Sequence, residues 1–297
     1  MGTTPTIAAQ DGGRNKQIVT VDFFRLQHDA GGSPTFLQAL RHAMRCRGAD
    51  RSAVVWGERI DLYSTREDDG IIEGEIGRVR MSNTPAIAGR DCTVKEIDLE
   101  DEEGITERTA FLFDSRRSVL AVHSRREAVS ASRLCGYCDK FANNQVDTFV
   151  IEPILRADAQ RRFDSMITIK KVEVEYTREA AGAIQQVDQS TQGFLQGLRN
   201  LDGQTLTVSV SSGRKKDNKL SLENVTSFVR TAFAGRNERV EKLTISGRNA
   251  GDEHLFVDLL EDRLRVKRAM EFRGRSASYE QRRTLLREIY DQNLPLL

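Results

Sequence analysis

Cysteine is scarce in this sequence, four residues in 297. That is too few for a disulfide framework. No apolar run reaches 18 residues, so no segment is expected to cross a membrane as a helix. Aromatics make up 6% of the chain, which argues against a platform that stacks single-stranded bases. Net charge is nearly absent too. Lys plus Arg total 45 against 44 for Asp plus Glu, so total charge selects no polyanionic or polycationic partner.

Catalytic signatures are also missing. There is no Gly-x-x-x-x-Gly-Lys-Ser/Thr loop, no Gly-x-Gly-x-x-Gly turn and no Gly-x-Ser-x-Gly elbow. His28, His42, His123 and His254 are scattered, with no pair at helical metal-binding spacing. The only acidic-x-Lys triplet is Asp217-Asn-Lys219, in a polar stretch. A divergent metal-dependent nuclease would need it on a strand, so a solvated loop is the simpler reading. Cys135-Gly-Tyr-Cys138 falls inside an expected helix rather than at its start. It therefore reads as two small core residues, not a redox or zinc site. The chain is expected to be non-enzymatic, with no cofactor and no metal.

What is present is alternating pattern. Ile18–Leu26 and Met166–Tyr176 read as strands, and Ile71–Met81 reads as a half-exposed strand. Ala53–Tyr63 reads as a strand pair or a bent strand. Thr109–Phe113 and Val119–His123 flank Asp114-Ser-Arg-Arg-Ser118 and predict a hairpin. Val146–Leu155 predicts a strand ending near Pro153. Ser33 as N-cap and Pro34 at the first helical position predict a helix carrying Phe36, Leu37, Leu40 and Met44. Further helices are expected over 126–143, 178–201, 222–234 and 276–292. Strands are expected over 205–211 and 239–246, with a strand pair around 253–268.

The fold class expected is α+β: two mixed α/β domains with largely antiparallel sheets. Residues 1–16 lack the apolar core of a secretory signal and read as a disordered leader. Residues 17–177 are the expected N-terminal domain, and 178–297 the C-terminal domain, where dimerisation is expected. A cytoplasmic location follows from this reading.

Charge is local rather than global. Residues 91–107 hold eight acidic residues and one Lys. Basic residues gather at expected loops. Arg116 and Arg117 sit at the hairpin tip, and Arg125 and Arg126 follow its second strand. Arg214, Lys215, Lys216 and Lys219 lie between a strand and a helix. These eight are the candidate DNA-binding residues, since phosphate binding needs several positive groups converging. Arg265, Lys267, Arg268, Arg273 and Arg275 form a further basic stretch.

From Ala110 to Tyr176 a resemblance emerges. It is carried by Phe111-Leu112-Phe113, Val119–Val122, a Ser-rich helix start at Ser130, Val150-Ile-Glu-Pro-Ile-Leu-Arg156 and Val172-Glu-Val-Glu175. Later come Leu243-Thr-Ile-Ser246, a polar turn at Asn249–Asp252 and a final amphipathic helix. This order resembles the RexA family, DNA-binding sensors of the lambda phage Rex exclusion system, and more distantly the KwaB family of the Kiwa anti-phage system. The resemblance implies a homodimer that grips duplex DNA with little sequence preference in a phage-exclusion pathway. It would work with a membrane effector protein as partner, without inserting into the membrane itself. The candidate DNA-contacting residues come from charge and loop placement, not from the resemblance. The alternative expectation is a protein-interaction regulator that never touches DNA, motivated by the acidic stretch Glu96–Glu107.

Overall fold

The structure, a computed structural model, describes residues 14–28, 35–82, 84–88, 92–125, 128–142, 149–177, 204–213, 215, 218–234, 240–274 and 276–297. In chain order the elements are β1 (Arg14–His28), α1 (Phe36–Arg45), β2 (Ser52–Val55), β3 (Glu58–Asp68) and β4 (Ile71–Arg80). Next come β5 (Ile87–Ala88), β6 (Val94–Lys95), β7 (Ile105–Asp114), β8 (Val119–Ser124) and α2 (Ala131–Phe141). Then follow β9 (Phe149–Pro153), α3 (Ala157–Asp164), β10 (Thr168–Thr177), β11 (Thr205–Ser211) and α4 (Leu222–Ala234). The chain finishes with β12 (Val240–Arg248), β13 (His254–Asp258), β14 (Arg265–Arg273) and α5 (Tyr279–Asn293).

Two larger sheets organise the chain, and the pairings among their strands are antiparallel, so the class is α+β. The first runs β14-β1-β8-β7-β4-β3-β2, with β9 paired to the far end of β1. Strand alternation sends side chains to both faces. Phe24, Leu26, Ile72, Ile76, Phe111 and Phe113 pack on one face with α1 and α2. Val19, Val21, Phe23, Ala110 and Leu112 pack on the other with Leu286, Ile289 and Tyr290 of α5. The second sheet runs β11-β10-β12-β13 over a core of Val172, Val174, Leu243, Ile245 and Val225.

The sheets cross the boundary expected at residue 178. β10 precedes it but pairs with β11 and β12, while β14 follows it and pairs with β1. The second sheet is thus inserted between β9 and β14. The chain enters and leaves it through a neck, where Arg156 N donates to Asp262 O at 2.9 Å and Leu155 bridges Arg263. The strand pair expected around 253–268 does not form, because β13 pairs with β12 and β14 with β1. Periodicity reports that a segment is a strand but not which distant strand completes it.

Smaller corrections have local causes. Residues 14–16, placed in the leader, belong to β1, where Asn15 and Lys16 register with Phe272 and Glu271. Thr35, not Ser33, caps α1, through a capping box with Gln38; Ser33 and Pro34 lie outside the described residues. α2 begins at Ala131, because the Ser130 hydroxyl accepts from Arg133 N. Residues 178–201, expected to be helical, lie outside the described residues.

Candidate functional site

Five of the eight basic residues are described, and Arg116 and Arg117 lie apart from Arg125. The β7–β8 hairpin forms as expected, with Arg116 and Arg117 in its turn at residues 115–118. Each has a carboxylate of its own. Arg116 pairs with Asp69 of the neighbouring β3–β4 turn, and Arg117 Nη1 lies 3.1 Å from Asp114 Oδ2. Burial works to raise the Asp114 carboxyl. Hydrogen bonds from Tyr290 Oη, the Arg116 and Arg117 backbone and the Arg117 side chain outweigh it and hold the group below its ordinary value.

Arg125 follows the second strand as expected, which puts it at the end of β8 away from the turn. A six-residue strand separates it from the turn by roughly 20 Å. Arg126, Arg214 and Lys216 lie outside the described residues, as does Asp217 of the nuclease triplet. Lys215 and Lys219 are exposed in the loop between β11 and α4. Lys170 Nζ donates to Lys215 O at 3.3 Å, which ties that loop to β10.

Arg125 borders a cleft of about 520 Å³ at the start of α2, shared with Asp22, Ser124, Ser130, Glu241, Glu261 and Arg263. Its charge is mixed. Arg265 grips Asp22 through two bonds of 2.6 and 2.9 Å, and Arg263 Nε lies 3.6 Å from the same carboxylate. A cleft carrying both signs is a poor cradle for a polyanion.

The local sequence pattern does not reveal the layer of buried charge under α5. Ile71–Met81 was expected to be half exposed, yet Glu73 and Glu75 are buried. Arg282 of α5 binds Glu75, and Arg108 of β7 reaches the other Glu75 oxygen at 3.2 Å. Arg283 Nη1 donates to Glu73 at 2.9 Å. The signal is split between distant segments: carboxylates at alternate strand positions, and a helix carrying Arg282, Arg283 and Arg287. These pairs fasten the helix to the sheet.

His123 lies in the same layer, 2% exposed, and its Nδ1 has no hydrogen-bond partner among the described residues. Burial, with the nearby charges of Arg125 and Arg282, pushes its pKa down to about 4. The fold therefore holds the neutral ring, and protons favour the unfolded chain. Stability is full above the unfolded value near 6.5 and is lost as pH falls toward 4. Between pH 6.5 and about pH 5 the loss is about 2 kcal/mol at 1.36 kcal/mol per unit. Asp114 and Glu173 have lowered carboxyl pKa values and titrate below this window. Denaturation midpoints across that range are expected to flatten in His123→Leu. An unchanged slope would assign the effect to other groups.

Cys135 and Cys138 are buried residues of α2 and pack into the core on that face of the sheet. Burial, with Cys135 and Asp139 beside it, raises the Cys138 thiol well above its ordinary value, so it stays protonated. No group of three or more His, Cys, Asp or Glu placed to hold a metal occurs among the described residues.

The acidic stretch differs from the basic candidates. Residues 96–104 form an irregular segment following the β5–β6 pair. Glu96, Asp98, Glu100, Asp101, Glu102 and Glu103 are all exposed, and none makes an ion pair among the described residues. A turn fixes the segment locally, with Glu103 N donating to Glu100 O at 2.9 Å and Glu100 N to Glu103 Oε2 at 3.2 Å. Arg59 Nη1 binds the Glu102 backbone oxygen at 3.2 Å and anchors the turn to β3. The turn thus holds the exposed carboxylates of Glu100, Asp101, Glu102 and Glu103 together, with Asp98 and Glu96 just before them in the chain.

A family model described as a family of unknown function, DUF6731, matches residues 36–294. No curated protein matches the chain.

Proposed function

The chain belongs to the DUF6731 family, whose function is unknown, and from that premise we propose that it is a non-enzymatic, cytoplasmic protein-interaction module that docks a basic protein surface through residues 96–103. One observation carries this reading: six exposed carboxylates stand together with no ion pair among the described residues, while Arg116 and Arg117 are each held by an acid. Like charges gathered in one short segment repel, and a cationic partner relieves the repulsion while steering itself to the site. No described helix is long and apolar enough to cross a membrane.

A Lys/Arg-rich peptide and its Gln-substituted analogue provide the probe. The peptide is expected to bind at low salt and to weaken as ionic strength rises. Changing Glu96, Glu100, Glu102 and Glu103 to Gln, and Asp98 and Asp101 to Asn, is expected to lower affinity about tenfold or more. Equal binding by this variant would end the proposal.

A second reading is the duplex-binding phage-exclusion sensor, a homodimer acting with a membrane effector. It is favoured by the resemblance noted above. It is also favoured by Arg125, Lys215, Lys219, Lys267 and Arg273, which are exposed and have no carboxylate partner among the described residues. Duplex binding measured across salt would then show a log–log slope near −0.9 per phosphate contact. Arg125→Glu and Lys219→Glu would reduce that slope. No binding at low salt removes this reading.

A further inference from the structure

Apart from β9, which pairs with β1 off the main path and packs against α2 and α4, the two larger sheets end in four strands, and three of these are guarded. β14 carries Arg265, Lys267, Arg268, Glu271 and Arg273 along its length. β2 has four residues. β13 has five, and α3 packs against it. Charge, shortness and cover are the ordinary means of keeping an edge from pairing with another chain.

Among the described residues, β11 has none of these. Its seven residues, Thr205-Leu-Thr-Val-Ser-Val-Ser211, include no charge, proline or glycine, in a chain that is 30% charged. Its inner edge pairs with β10, and no described strand takes the outer edge. Leu206, Val208 and Val210 register with Tyr176, Val174 and Val172, so they extend the apolar row over the core. That row is unfinished at the edge, with Val210 46% exposed. Thr205, Thr207, Ser209 and Ser211 line the open face and are exposed.

The strand is also complementary to itself. An antiparallel copy centred on Val208 sets Leu206 opposite Val210 and Val208 opposite Val208 on the apolar face. On the other face it sets Thr207 opposite Ser209 and Thr205 opposite Ser211. Each apolar side chain meets an apolar one and each hydroxyl a hydroxyl, with no charges opposed. The outer backbone groups find partners in the same step.

We propose that β11 is a homodimer interface: a second copy of this chain pairs antiparallel with β11 about Val208, fusing two four-stranded sheets into one of eight. This uses different residues from the acidic docking segment and stands whether or not that segment binds a partner.

Analytical ultracentrifugation of the full chain tests it. The wild type is expected to sediment at twice the monomer mass at micromolar concentration. Thr207→Lys with Ser209→Lys places lysines opposite lysines across the two-fold and is expected to raise the dissociation constant at least tenfold. Thr207→Glu with Ser209→Glu is expected to do the same. Mixing the two variants is expected to restore a dimer, which a merely misfolded variant would not do. Hydrogen exchange on the wild type gives a second measure, with β11 amides gaining protection as concentration rises. A monomeric wild type, or a dimer that survives both variants, overturns the proposal.

Discussion

Glu75→Ala is expected to cost about 3–5 kcal/mol of stability, read as a drop in the denaturant midpoint. A typical domain has about 5–15 kcal/mol in total, so the variant should be close to unfolding at ambient temperature. Glu75 is 1% exposed and Arg282 is 9% exposed. Arg282 Nε lies 3.0 Å from Glu75 Oε1, and its Nη1 also donates to Ala277 O, so the guanidinium is fixed between sheet and helix. Without the carboxylate, that charge stays buried with only a carbonyl for company. Arg108 also loses its partner, but its half-exposed side chain can turn to water. The cost therefore falls mainly on Arg282, and the double variant Glu75→Leu/Arg282→Leu should recover most of it. Buried ion pairs replaced whole by apolar residues are often neutral in net effect. A loss under 1 kcal/mol in Glu75→Ala, or no recovery in the double variant, would contradict the pairing.

The elements that were legible in the sequence are those whose evidence is local. The β7–β8 hairpin, the capped α5 and the β2–β3 pair each follow from residues within one turn or one strand. Ser278 and Gln281 close the α5 capping box three residues apart. What was not legible depends on residues far apart in the chain. Glu75 and Arg282 are separated by 207 positions, so an alternating strand looked half solvated when a helix covers it. Arg117 and Arg125 sit eight positions apart on one hairpin, and the strand between them carries them to opposite ends. α3 was missed because only Ala159 of its eight residues is buried, too few to set a period. For the candidate site, composition found the acidic stretch, but only the fold shows that its carboxylates make no ion pair among the described residues and that Arg59 stands beside Glu102.

The same insertion that hid the sheet order makes a sharp prediction at Gly247. Glycine in a strand interior is ordinarily a cost, and Gly→Ala at a tolerant site gains about 0.4–1 kcal/mol. Here the sign is expected to reverse, with a loss of about 3 kcal/mol, at the upper end for overpacking. Gly247 lies in β12 opposite Ile169, where the register with β10 shifts between Ile169 and Lys171. A Cβ would stand 2.3 Å from the Thr168 carbonyl oxygen. That oxygen cannot swing aside, because Thr168 is paired with Arg248 and Ile167 N donates to Arg248 O at 2.9 Å. The two central strands of the second sheet must separate instead. The chain joins that sheet to the first through the neck at Arg156 and Asp262. The damage is therefore expected to stay within the inserted sheet, with β10 and β12 amides exchanging early while β4 and β7 keep their protection. A stabilised Gly247→Ala would disprove the close approach. Protection lost equally in both sheets would show that the insertion and its host unfold as one unit.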